Sequence, residues 1–285
     1  HGVLEGGSLP AGGEGAAPAG KSPEGRLLQG AIRAAEFLQR ELYDPARGVL
    51  YRSYRQGRGA IEGFAEDYAF LIQGLLDLYE AAFDLRWLHW AERLQRSMDA
   101  IFWDEAHGGW FNSAAGATDM VLRLKEDYDG AEPAPSSVAA MNLLRLGAIF
   151  DQSPGGGAGD PAYSRRGRRA LEAFQSQWSE SPPALPQMLC ALELALGSPR
   201  HVVLVGDPAA ADFRALSGVL HEKAGPRRAI VAITGDADRA WLVARAPWTA
   251  GMQARDGRAT AYVCAEFACQ APVVEPASLR LLLSR

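Results

Sequence analysis

Two stretches of the chain hold enough ionisable side chains, spaced closely enough, to do chemistry. One is Glu66-Asp67-Tyr68. The other is Lys125-Glu126-Asp127-Tyr128-Asp129-Gly130-Ala131-Glu132-Pro133, which leads on to Ser136 and Ser137. Glycoside hydrolysis needs two carboxyl groups across the scissile bond, one protonated and one ionised. Sugar epimerisation needs a base beside a carbonyl, tuned to work near neutral pH. The candidate catalytic residues are therefore Glu66, Asp67, Asp127, Asp129 and Glu132. Tyr68, Tyr128, Trp103 and Trp110 offer rings on which a sugar could stack, and Lys125 and Asn142 offer polar contacts. Each has a structural alternative. Acidic residues at a helix start are favoured by capping and by the macrodipole, the two tryptophans suit a hairpin core, and Asn142 suits an internal hydrogen bond.

The other reactive types point nowhere specific. Cys264 and Cys269 are not a C-x-x-C pair; they read as buried or reduced thiols, with a disulfide or a metal pair as the alternatives. His89, His107, His201 and His221 lack metal-ligand spacing, so no metal is expected. Gly206-Asp207 follows a strand-like run, but no G-x-G-x-x-G or Walker pattern accompanies it, so no nucleotide cofactor is expected either. Twenty-nine basic against 34 acidic residues leave a charge of −5, which argues against a nucleic-acid surface. No apolar run approaches the ~20 residues of a membrane span. A soluble, cytoplasmic protein is expected. The chain opens on His1 and shows no signal segment, which suggests a trimmed or partial polypeptide.

The elements that must position these groups follow from periodicity. Residues 1–24, of which 14 are Gly, Ala or Pro, read as a flexible tail. Six helices are expected next, near 26–42, 66–83, 87–102, 138–150, 163–178 and 185–196. The first, third and fifth are amphipathic; the second, fourth and sixth are apolar almost all round. A half-wet helix followed by one that must be enclosed, three times over, predicts two layers built from outer–inner hairpins. The arginines of the fifth helix (Arg165, Arg166, Arg168, Arg169) read as a solvated outer face. A repeat reinforces the pairing: Tyr43-Asp44-Pro45-Ala46-Arg47-Gly48-Val49-Leu50-Tyr51 matches Trp103-Asp104-Glu105-Ala106-His107-Gly108-Gly109-Trp110-Phe111 at an offset of 60. From about residue 199 the order becomes β-α-β-α-β, with strands near 201–207, 228–233 and 259–264, helices near 212–223 and 239–245, and a closing helix near 278–283. This order predicts a small, mostly parallel sheet. The fold class is thus mainly α with a C-terminal α/β part: a tail (1–24), a partial α/α toroid of three hairpins (25–198) and a small α/β domain (199–285).

Three stretches carry a family resemblance: Glu66 to Glu80 (EDYAFLIQGLLDLYE), Lys125 to Pro133, and Thr260-Ala261-Tyr262-Val263-Cys264 with Phe267-Ala268-Cys269. They resemble the C-terminal part of the spermatogenesis-associated protein 20 family, whose members carry a thioredoxin-like N-terminal domain. The resemblance implies a ring of the six-hairpin glycosidase type, related to the N-acylglucosamine 2-epimerase fold, with an α/β cap. The family's redox domain and first hairpins have no counterpart here, and Ser136 stands where Asn is expected. A carbohydrate-active or carbohydrate-binding protein is the leading expectation, a glycosidase or sugar epimerase if it is an enzyme, with a sugar as ligand. A non-enzymatic scaffold or a redox-linked accessory is the alternative. A second copy or a partner chain would complete the half-ring.

Overall fold

A computed structural model describes residues 23–116, 122–151, 162–222, 228–265 and 268–284. Most of the expected tail, 1–22, lies outside them. The fold is mainly helical with two small sheets. The helical part contains α1 (Pro23–Glu41), β1 (Tyr43–Asp44), β2 (Val49–Leu50), α2 (Ala65–Ala82), α3 (Leu85–Phe102), α4 (Pro135–Phe150), α5 (Ala162–Ala173), α6 (Gln175–Glu180) and α7 (Pro186–Leu196). The three apolar helices lie side by side, α2 against α4 and α4 against α7, while α1, α3 and α5 pack around them. Leu75 and Leu143 are buried and Leu192 is half-buried, as enclosed helices require. Trp87, Trp90 and Trp110 are fully buried; each ring removes ~150–250 Å² from water, a gross gain of about 4–6 kcal/mol.

Two sequence expectations hold only in part, because charges pair between helices. The polar face of α3 is partly covered, with Glu92 and Gln95 buried while Arg93 and Arg96 stay exposed. Asp99 accepts from Gln95 Nε2 (2.9 Å), Trp110 Nε1 (2.9 Å) and Arg166 Nη1 (2.8 Å). Glu92 pairs with Arg96 at 2.5 Å and Arg245 at 3.4 Å, and accepts from the Tyr163 hydroxyl. Among the α5 arginines, Arg165 and Arg168 are exposed as expected, but Arg166 covers Asp99, Arg168 also donates to Ala195 O, and Arg169 donates to Glu105 O. The expected fifth helix is also interrupted, because buried Phe174 turns inward between α5 and α6 and packs against Gly109.

The C-terminal part contains β3 (Arg200–Val205), α8 (Ala211–His221), β4 (Arg228–Ile233), α9 (Asp236–Arg245), β5 (Thr260–Ala265), β6 (Ala268–Cys269) and α10 (Pro276–Leu283). Its sheet runs β4-β3-β5-β6. Only β3 and β4 are parallel; β5 runs antiparallel to both β3 and β6. The expected mostly parallel sheet is therefore a mixed one. Strand periodicity locates β5 but carries no information on its direction. Val202, Leu204, Ile230, Ala232, Ala261 and Val263 face α8 and α10. Val203, Val205, Val231 and Ile233 face α9 and the helical part, and one core runs across the junction. Polar ties fix it: Ala232 N–H donates to the Tyr79 hydroxyl (3.0 Å), Trp248 Nε1 to Ile149 O (3.0 Å), and His201 Nε2 lies 2.8 Å from Ala148 O. Cys264 and Cys269 are disulfide-bonded, which corrects the expectation of reduced thiols: antiparallel pairing sets them opposite each other, with Cα atoms 3.9 Å apart.

Candidate functional site

Both copies of the repeat fold as the same device. Asp44 Oδ1 accepts the N–H groups of Ala46 and Arg47, and Asp104 Oδ1 accepts those of Ala106 and His107. Gly48 (φ 67°) and Gly108 (φ 79°) then turn the chain back through the left-handed region. Each copy returns beside its own start, Tyr43 pairing with Leu50 and Trp103 with Trp110. The residues just past the two returns, Arg52 and Asn112, converge on the start of α2.

There the backbone is held from several sides. Asp67 accepts the Phe64 N–H (2.8 Å), and Arg52 Nη1 lies 3.0 Å from Asp67 Oδ2. Burial raises the Asp67 carboxyl above its usual range despite the Phe64 N–H and Arg52. Arg52 also pairs with Glu66 at 2.5 Å and stacks over the Phe64 ring, 4.8 Å from its centroid. Asn112 knots the acidic loop to this helix start. Its carbonyl accepts the Ala65 N–H (3.0 Å), its own N–H donates to Leu124 O (2.8 Å), and its Oδ1 accepts the Glu126 N–H (3.2 Å).

The result is a cleft of about 220 Å³ lined by Phe64, Glu66, Asn112, Ser113 and Pro135, where α2 and α4 both begin. Its lining carries one carboxylate, Glu66, which is paired with Arg52. Glu126 lies outside the lining, on the loop that Asn112 ties down, and carries a raised carboxyl pKa, first through desolvation and then through the carboxylates of Glu66, Asp129, Asp127 and Glu132. Ser113 is 1% exposed, and its Oγ has no hydrogen-bond partner among the described residues.

The other candidates are distributed as follows. Asp129 is buried and its oxygens are taken: Oδ1 accepts the Ala134 N–H (2.8 Å), and Oδ2 accepts the N–H groups of Gln187 (2.8 Å) and Met188 (3.3 Å), capping α7. Asp127, Tyr128 and Glu132 are exposed on the loop. Lys125 is committed to the second turn, with Nζ 2.7 Å from Asp104 Oδ2 and 2.6 Å from Gly108 O. The Trp110 ring is fully buried against Trp103, so it is hairpin core and not a stacking face. Tyr68 is likewise enclosed; its hydroxyl accepts the Leu50 N–H (2.7 Å), and burial pushes its pKa up to about 12. Asn142 Nδ2 donates to Ala69 O (2.8 Å) inside the helix layer. Ser136 is buried, accepting the Trp110 N–H.

The motif reading missed Phe64, Arg52, Asn112 and Ser113. A usable signal was present, because the repeat continues for two more residues as Tyr51-Arg52-Ser53 and Phe111-Asn112-Ser113. Among the described residues no group of three His, Cys, Asp or Glu is placed to hold a metal, and no helix is long and apolar enough to cross a membrane.

The comparisons agree with the resemblance read from the sequence. Over 267 residues, 90% of its length, the chain is 38% identical to spermatogenesis-associated protein 20 from human. It is 38% identical to the rat protein and 37% identical to the mouse protein over the same length. The chain spans about a third (33%) of the length of these curated relatives. No family model matches it.

Proposed function

We propose that the chain is part of an α/α-toroid protein that binds or processes carbohydrate, and that the cleft at the starts of α2 and α4 is its sugar site. The asymmetry between Glu66 and Glu126 carries the reading. Glu66, in the cleft lining and paired with a guanidinium, and Glu126, on the adjoining loop tied to Asn112 and with its carboxyl pKa raised, are the pairing that general acid–base chemistry on a sugar uses. The Phe64 ring, with Arg52 over it, supplies a face for a sugar ring, and Asn112 in the same lining supplies a directional partner for its hydroxyls. A cleft of about 220 Å³ suits one small ring better than an oligosaccharide. In this reading Glu126 delivers a proton, Glu66 receives one, and Arg52 with Asp67 fixes the orientation of Glu66. Asp127, Tyr128 and Glu132 extend the acidic rim.

The test is an NMR titration of the labelled chain with N-acetylglucosamine, N-acetylmannosamine, glucose and mannose. Saturable shifts at the Asn112 and Ser113 amides are expected, and interconversion of the N-acyl pair would identify an epimerase. Glu126→Gln and Glu66→Gln each lower any turnover by about 10²–10⁴-fold. A spectrum unmoved by the whole panel overturns the proposal.

Exposed Leu27 on α1 and Leu196 at the end of α7, 76% and 77% exposed, favour a second reading in which another chain or a second copy continues the helix layers. Light scattering of a concentration-independent monomer removes it.

A further inference from the structure

The extended segment 122–128 is built inside out. Asn112 holds it from one side, donating its N–H to Leu124 O and accepting the Glu126 N–H. Alternate residues of an extended chain point to opposite sides, and here the inward ones are the cations. Arg123 Nε donates to Ser113 O (2.9 Å), and its guanidinium lies 4.1 Å from the centroid of the Phe111 ring. Lys125 is fixed on Asp104 and Gly108 O. The outward residues are Leu122 and Leu124, 67% and 60% exposed, then Glu126 and Tyr128, the last 59% exposed. The Tyr128 ring rests against Gly130, where a Cβ would stand 3.3 Å from it. Asp129 then closes the segment onto the start of α7 through the N–H groups of Gln187 and Met188.

Single leucines scattered over a surface need no explanation. Leu122, Leu124 and Tyr128 are different, because they fall within one short run whose inward neighbours are anchored. Their backbone is already ordered, so a partner that covers them pays little of the usual ordering cost.

Charge identifies the occupant. Glu126, Asp127 and Glu132 border the strip, and none of them is in an ion pair among the described residues. The cations closest in the fold are engaged elsewhere: Lys125 by Asp104, Arg52 by Glu66 and Asp67, and Arg123 by a backbone carbonyl. After desolvation, crowding by neighbouring carboxylates raises the Glu126 carboxyl further. An acidic border left unneutralised repels nucleic-acid phosphates and an anionic membrane surface. It also repels the same strip on a second copy, since a two-fold contact would set acid against acid. A polypeptide segment with lysine or arginine beside leucine-like side chains complements both the charge and the apolar surface.

We infer that Leu122, Leu124 and Tyr128, bordered by Glu126, Asp127 and Glu132, form a docking surface for a basic, apolar peptide segment of another polypeptide. None of the six lines the cleft at the starts of α2 and α4, so a failed sugar titration leaves this surface as it is.

The test uses the full chain and three fluorescein-labelled hexapeptide amides: Lys-Leu-Leu-Lys-Leu-Lys, the same peptide with Glu for every Lys, and the same peptide with Ser for every Leu. Saturable anisotropy is expected with the first, weakening as salt is raised, and binding about tenfold weaker or worse for the other two. Leu124→Ser and Asp127→Lys, both at exposed side chains, each weaken the basic peptide about tenfold while the circular dichroism spectrum is retained. The Glu peptide binding as tightly, the Ser peptide matching the first, or no saturable signal with any peptide overturns the inference. So does co-sedimentation with phosphatidylserine vesicles, or a concentration-dependent dimer that Leu124→Ser dissolves, since each gives the strip a different occupant. The peptide series on the unaltered protein decides the question even if a variant fails to fold.

Discussion

The two turns of the repeat have the same backbone and different surroundings. The first, Tyr43–Tyr51, sits at the edge of the helical part, with Asp44 half-buried and the would-be Cβ of Gly48 meeting only the Ser97 side chain. The second, Trp103–Phe111, lies under α5 and the acidic loop. Asp104 is buried against Lys125, Trp110 is fully enclosed, and a Cβ on Gly108 would stand 2.8 Å from Arg169 O. Local sequence therefore sets the shape of the turn, while neighbouring elements set how much it matters. The second copy is a keystone for the acidic loop, and the first is an anchor for the start of α2 through Leu50, whose N–H donates to the Tyr68 hydroxyl.

The largest expected contrast is at the next-to-last residue of the motif, where the copies have Leu50 and Trp110 in register. Trp110→Ala should cost about 3–5 kcal/mol, since it opens a cavity and removes a donor from Asp99. Leu50→Ala should cost about 2–3 kcal/mol. Urea midpoints that rank the two the other way would break the comparison. At the glycines, Gly108→Ala should cost more than 2 kcal/mol and Gly48→Ala about 1 kcal/mol, because both carry the left-handed penalty but only Gly108 meets backbone. Equal losses in thermal melts would show that the cover over the second turn yields. The smallest contrast is at the aspartates. Asp104→Asn should cost about 1–2 kcal/mol at pH 7 and Asp44→Asn about 0.5–1 kcal/mol.

Acid titration sharpens the last pair. Against the upward push of desolvation, Lys125 and the N–H groups of His107 and Ala106 hold the Asp104 carboxyl well below the usual range. A depressed native pKa means that the unfolded chain binds the proton first as pH falls. The stabilisation is therefore whole above about pH 4 and is lost below it. The gap between the parent and Asp104→Asn should close as unfolding is followed from pH 5 down to pH 2. A gap that stays constant over that range would remove Lys125 from the account.

The enclosed helices were readable because α2, α4 and α7 carry few polar residues, although α2 leaves Gly74 and Asp77 and α7 leaves Cys190, Glu193 and Leu196 exposed. The polar face of α3 was not, since Glu92 and Asp99 have the composition of a solvated stripe and only their distant partners Arg166, Tyr163 and Arg245 reveal otherwise. Direction was hidden in β5 for a related reason: alternation marks a strand, while its partner lies some 60 residues upstream. At the site, Glu66 and the acidic loop stood out by charge density. Asp129 belonged to that same run, yet its carboxylate serves three backbone N–H groups, a use that charge spacing cannot distinguish from catalysis. Asn112 carries no charge and sits outside the acidic run, but its backbone and side chain together join the two.

The disulfide between β5 and β6 has a practical corollary. The chain has three cysteines, and this bond uses two of them, leaving Cys190 on α7 exposed and free. Under non-reducing conditions a maleimide dye or nitroxide would attach there alone, giving a site-specific spectroscopic reporter on the helical layer without any engineered substitution.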